Sequence, residues 1–141
     1  VLAVQVADCA PVALVADGVV GVAHAGWRGL AAGVLPATVE AMRALGAGAV
    51  TATIGPCIRV GCYEFGATDL DAVAAVLGDH VRGTTPAGTP ALDVAAAVRA
   101  SLGQAGVTDV VDLGTCTACS VDHWSHRAAG DGERQAVVAW M

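Results

Sequence analysis

Lysine is absent from the chain. All seven cations are arginine, set against 13 carboxylates, and the formal net charge is −6. No run of basic residues occurs, which excludes nucleic-acid binding by phosphate neutralisation. No stretch of about 18 apolar residues is free of charge. The longest apolar runs are broken by Asp, Gly or Arg, so no membrane span is expected. Aromatics are scarce: with one Phe and one Tyr, each of the three tryptophans stands out. No signal-peptide pattern is present and the five cysteines are an odd number. Both observations argue against a disulfide framework. They predict reduced thiols in a cytoplasmic protein, free for metal or nucleophilic chemistry.

What the chain does have is apolar material. Hydrophobic residues make up 55% and charged residues 14% of 141, enough for the core of one domain over 1–141 and too apolar for disorder. Much of it is Ala and Val, and Gly is abundant at 18, so backbones are expected to pack closely. The chain opens without Met on VLAVQVADC, already strand-like, and the expectation is that an N-terminal segment of the domain precedes it.

The β-branched run 1–6 reads as a buried strand ending at Asp8-Cys9. A second strand, 11–16, meets the hairpin signal Asp17-Gly18, with 19–24 as its partner. Leu30, Val34, Thr38, Met42 and Leu45 have helical spacing, with Pro36 expected to kink that helix or mark its true start and Gly46 to cap it. Further expectations are a strand at 50–54, a helix opened by a Thr68/Asp71 capping box and running to about His80, and a helix over 91–104 opened by Thr89-Pro90. Strands follow at 107–113 and 135–140, around an irregular polar stretch at 116–132. Interleaved but not strictly alternating elements favour mixed sheets in an α+β or α/β layout.

The hairpin brings Cys9 and His24 to one sheet edge, fifteen residues apart in sequence and adjacent in space. A thiolate and an imidazole there suit Zn²⁺, and equally a Cys-His nucleophile pair. On their own they are explained as well by a buried thiol and a satisfied imidazole. Ala25-Gly26-Trp27-Arg28-Gly29 tips the balance: glycines around Trp-Arg imply a tight turn into a helix start, where N–H groups and Arg28 can receive phosphate or carboxylate. Asp8 is a candidate to orient His24 or Arg28. A second cluster, Cys116, Cys119, His123 and His126, has C-x2-C-x3-H-x2-H spacing, shorter between its pairs than a normal zinc finger. Cys57 and Cys62 have no recognised metal spacing, and Glu64 is either a general acid/base or a surface group.

Together, ADCAPVALV, GVAHAGWRGLAAGVL, IGPCIRVGCYEFG and the closing CTAC…HWSHRAAGDGERQAVVAWM resemble the bacterial laccase-domain family. That family was once called multicopper polyphenol oxidase and is now associated with purine nucleoside phosphorylase and adenosine deaminase activity. The family's usual Arg-Arg-Asp-Gly is here Arg127-Ala128-Ala129-Gly130-Asp131-Gly132. The resemblance implies an α/β/β/α sandwich of mixed β-sheets flanked by helices. It implies a metal site, commonly zinc, formed by Cys9, His24 and a histidine in an upstream QVHG-type segment; no His precedes Cys9 here. It implies purine nucleosides and phosphate as partners, with Arg28 beside the anion, in a cytoplasmic monomer or homodimer. Copper is the alternative ion. Multicopper laccase chemistry, however, needs a blue-copper site and a His-rich trinuclear cluster, beyond the reach of four histidines. The fold is shared with toxins that deamidate glutamine, which supplies the other mechanism: a hydrolase or amidase with Cys9 as nucleophile and His24 as base.

Overall fold

In the computed structural model, which describes residues 1–141, the Asp17-Gly18 signal does make a hairpin. β2 (Ala10–Ala16) and β3 (Val19–Ala25) pair antiparallel, with Ala16 opposite Val19 and Pro11 opposite His24. Gly18, at φ 70, takes a left-handed conformation at the second turn position, which glycine adopts without strain. β4 (Thr51–Ile54) adds antiparallel to the other edge of β2, and β7 (Val110–Asp112) adds parallel to β4, giving the order β3-β2-β4-β7. β1 (Leu2–Val6) pairs with β8 (Gln135–Ala139) in a separate antiparallel ribbon. A small third pair joins β5 (Arg82–Thr84) to β6 (Pro90–Leu92).

Strand alternation splits the four-stranded sheet into two faces. Ala10, Val12, Leu14, Ala23, Ala25, Ala52 and Ile54 are buried on one. They form one core with Leu35, Val39 and Met42 of α2 (Val34–Ala44) and Val94, Val98 and Leu102 of α4 (Val94–Gln104). Small residues let this helix layer sit close: a Cβ on Gly21 would come within 2.7 Å of Met42 Sδ. The β1–β8 ribbon lies against the other face, touching β2 and β3. It covers that face incompletely, leaving Val15 53% exposed. The chain is thus an α+β sandwich of mixed sheets with flanking helices, layered as helices, four-stranded sheet and ribbon. No helix is long and apolar enough to cross a membrane.

The helical pattern over 30–45 resolves into two helices. α1 (Trp27–Ala31) ends at Ala32, and Gly33 at φ 80 breaks the path before α2 begins. Pro36 falls in the first turn of α2, where its missing N–H costs nothing. α3 (Ala67–Leu77) starts from Gly66 with no side-chain cap, so the Thr68/Asp71 pair lies inside the helix rather than capping it, and it stops short of His80 at Gly78. Pro90–Leu92 is strand β6. The helix expected from 91 begins only at Val94, where the Asp93 side chain accepts from the Ala96 N–H at 2.9 Å. Within 116–132 lies one short helix, α5 (His126–Ala129), capped by Ser125 accepting from the Ala128 N–H at 3.1 Å.

Candidate active site

β2 starts at Ala10 and β3 ends at Ala25, so the residues on either side of this end of the hairpin share one mouth. A cavity of about 410 Å³ opens there, lined among others by Cys9, His24, Arg28, Tyr63, His126 and Arg127. Cys9 and His24 converge on Gly26. A Cβ at that position would stand 3.1 Å from Cys9 Sγ and 3.6 Å from His24 Nε2. The missing side chain therefore leaves a small gap with a sulfur and an imidazole nitrogen on its walls. Gly26 itself is extended, at φ −79 and ψ 160, so its lack of a side chain serves space rather than backbone conformation.

Cys9 is half-buried. Burial, and then the neighbouring Asp8 charge, push its thiol above the ordinary value. That is the reverse of what a free nucleophilic cysteine requires, whereas a divalent cation would favour the thiolate directly. His24 is exposed to the cavity. The sulfur and nitrogen at Gly26 are the donor types zinc prefers, so the residues present fit that ion as two of its ligands.

Asp8 orients neither His24 nor Arg28. It is buried and is the one non-glycine residue with positive φ, at 85. Its Oδ1 accepts from Thr117 Oγ1 and Ser125 Oγ, and its Oδ2 from the Arg127 N–H, each at 2.7 Å. Left-handed backbone at a non-glycine costs on the order of 1–3 kcal/mol, and three short bonds to a carboxylate offset it. The result is a knot that fixes the bend ahead of Cys9 and docks the 117–127 loop beside it.

Two arginines border the cavity. Arg28 packs its guanidinium over its neighbour Trp27, 4.1 Å from the ring centre, and makes no ion pair. Arg127 donates to the Glu64 carbonyl at 2.7 Å and lies 4.8 Å over the Tyr63 ring. Tyr63 and Trp27 both pack edge-on to Phe65, at 5.2 and 5.5 Å. α1 spans five residues, and the guanidinium of Arg28 in its first turn makes no ion pair. Glu64 is exposed and accepts from Thr89 Oγ1 at 3.2 Å.

The model of the family described as multi-copper polyphenol oxidoreductase laccase matches residues 1–141. The chain belongs to this family. Relatives of this laccase-like family include a purine nucleoside phosphorylase of Streptomyces griseus, 46% identical over 148 residues, covering 99% of this chain and 58% of that protein. An adenosine deaminase from an unidentified prokaryote is 37% identical over 128 residues, 84% of this chain and 49% of its own. The solved structure of YlmD from Geobacillus stearothermophilus superposes with a TM-score of 0.83 at 34% identity, over 96% of this chain and 54% of that one. The chain spans about half the length of these relatives.

The spacing 116-119-123-126 does not make a four-ligand knot. Cys116 and Cys119 gather instead with Cys62, the three sulfurs lying within 4.8 Å of one another. His123 Nδ1 bonds Ser120 Oγ at 2.8 Å, and His126 turns to the Cys9 cavity. Sequence spacing missed Cys62 because its partners are over fifty positions away. Tyr63, His126 and Arg127 were missed as cavity residues for the same reason. Cys57 is fully buried in the core, and burial pushes its thiol up to about 11.

Proposed function

We propose that Cys9 and His24 are two ligands of a zinc ion in a purine nucleoside phosphorylase with accompanying adenosine deaminase activity. The observation that carries this reading is the gap at Gly26, walled by Cys9 Sγ and His24 Nε2 and opening on a cavity edged by an unpaired arginine. The names of the relatives support the substrate class: purine nucleoside with phosphate, or with water in the deamination. The third ligand is the upstream histidine that the family resemblance implies. Bound there, zinc would act as a Lewis acid, polarising phosphate or water at the glycosidic carbon or at purine C6.

The chain's own residues do the rest. Arg28 presents a fork of N–H donors with no competing carboxylate, suited to two phosphate oxygens. Arg127, held over Tyr63 and by its backbone to Asp8, adds a second positive group across the cavity. Tyr63 and Trp27 add aromatic wall to the cavity, each with an arginine guanidinium stacked on its ring, a mixed apolar and cationic lining suited to a purine nucleoside and its phosphate.

The test is metal analysis of the full-length protein together with formation of hypoxanthine and ribose 1-phosphate from inosine and phosphate. The expected result is that Cys9→Ala and His24→Ala each lose one equivalent of zinc relative to the wild type, and lose product formation with it. Product formation by zinc-free protein would refute the proposal. An acyl-enzyme trapped on Cys9 would favour the hydrolase reading instead.

A further inference from the structure

Cys62, Cys116 and Cys119 lie outside the Cys9 cavity and take no part in the chemistry above. They come from two segments, one in the short turn at Val60–Cys62 and one in the 113–120 loop, and Cys62 and Cys119 are 57 positions apart. Their sulfurs fall within 4.8 Å of one another, with Cys62 Sγ and Cys119 Sγ at 3.3 Å. Thiolates around one zinc at about 2.3 Å stand roughly 3.8 Å apart, so the observed separations close onto an ion with small side-chain shifts.

The C-x2-C turn is preformed. The Cys119 and Ser120 N–H groups both donate to the Cys116 carbonyl, at 3.3 and 3.0 Å. Cys119 is exposed and the other two are half-exposed, leaving room for water as a fourth ligand.

We propose that Cys62, Cys116 and Cys119 form a second, structural zinc site that clasps the 113–120 loop to the turn at Val60–Cys62. Binding replaces three S–H bonds by three Zn–S bonds and releases three protons to solvent. The clasp stands next to the cavity on both strands of chain. Cys62 precedes Tyr63, which holds Arg127, and Cys116 precedes Thr117, which donates to Asp8. The assignment stands independently of the reaction proposed above.

The test uses the full chain carrying Cys9→Ser and His24→Ala, so that the cavity donors are silent, purified under reducing conditions and titrated with Co²⁺. The expected result is one equivalent bound, with a near-ultraviolet thiolate-to-cobalt charge-transfer band of three-thiolate intensity, displaced by Zn²⁺. Adding Cys119→Ser should cut that band by about a third and weaken binding at least tenfold. Amide exchange at Arg127, whose N–H bonds Asp8, should quicken in apo protein. Absence of a cobalt band, or a band unchanged by Cys119→Ser, would overturn the proposal. So would a thiol count two short of five with no metal in wild-type protein as purified, which would mark Cys62–Cys119 as a disulfide.

Discussion

Gly26→Ala separates the metal site from the fold. The backbone at Gly26 is extended, φ −79 and ψ 160, so alanine brings no backbone strain, and the Cys9 side chain need shift only a few tenths of an ångström. Losing a Gly from the unfolded chain stabilises by about 0.4–1 kcal/mol, and exchanging Gly for Ala at an N-cap costs a similar amount. The melting temperature should therefore move by no more than a few degrees. The new methyl, however, would stand 3.1 Å from Cys9 Sγ and 3.6 Å from His24 Nε2. The proposed ion position, bonded to both at about 2.0–2.3 Å in the gap that Gly26 leaves, is the space this methyl would take. Expelling it should cost at least a hundredfold in zinc affinity, about 2.8 kcal/mol. The assay is competition against a chromophoric chelator, with circular dichroism melting as the control, in full-length protein with Cys62→Ser, Cys116→Ser and Cys119→Ser. A variant that melts like the parent and binds zinc as tightly would refute the reasoning, because the gap at Gly26 would then not be where the ion sits.

Further outcomes follow from the same geometry. Asp8→Ala leaves the buried hydroxyls of Thr117 and Ser125 without their acceptor and places Ala at φ 85. The expected destabilisation is about 4 kcal/mol in denaturant unfolding, and a change below about 1 kcal/mol would show that the knot is not structural. Arg28→Ala should raise KM for phosphate about tenfold in steady-state phosphorolysis, at 1.4 kcal/mol per tenfold; equal KM values would remove Arg28 from the anion site. Asp112 binds Arg59 through both guanidinium nitrogens at 2.6 and 2.9 Å, which holds its carboxyl below the usual 3.8. A lowered carboxyl stabilises the fold above its unfolded value and loses that contribution as pH falls through the folded one. The stability gap between wild type and Asp112→Asn should stay constant from pH 7 to pH 5 and close only below about 3.8; a gap already closing at pH 5 would contradict the shift.

The hairpin was legible because it is local. Asp17-Gly18 and alternating Val and Ala determine both turn and register, and the register carries Cys9 and His24 to one edge. The layered architecture came from the family resemblance; the pairing of β1 with β8, from opposite ends of the chain, has no local signal. Helix starts were misjudged where backbone geometry outweighed composition. Gly33 divides a stretch whose apolar spacing is continuous, and Pro90–Leu92 is drawn into a strand by pairing with Arg82–Thr84. Asp8 was read as an orienting partner because it neighbours Cys9. Its left-handed backbone turns the carboxylate instead toward Thr117, Ser125 and Arg127, over a hundred positions away. The Cys62–Cys116–Cys119 group likewise depends on a tertiary contact that no spacing rule reports.

The most direct measurement is an anomalous difference map at the zinc absorption edge, from crystals of the full-length protein grown with zinc. The expected map has a peak within bonding distance of both Cys9 Sγ and His24 Nε2, in the gap beside Gly26. A map with no peak there, from crystals in which zinc is bound elsewhere, would contradict it.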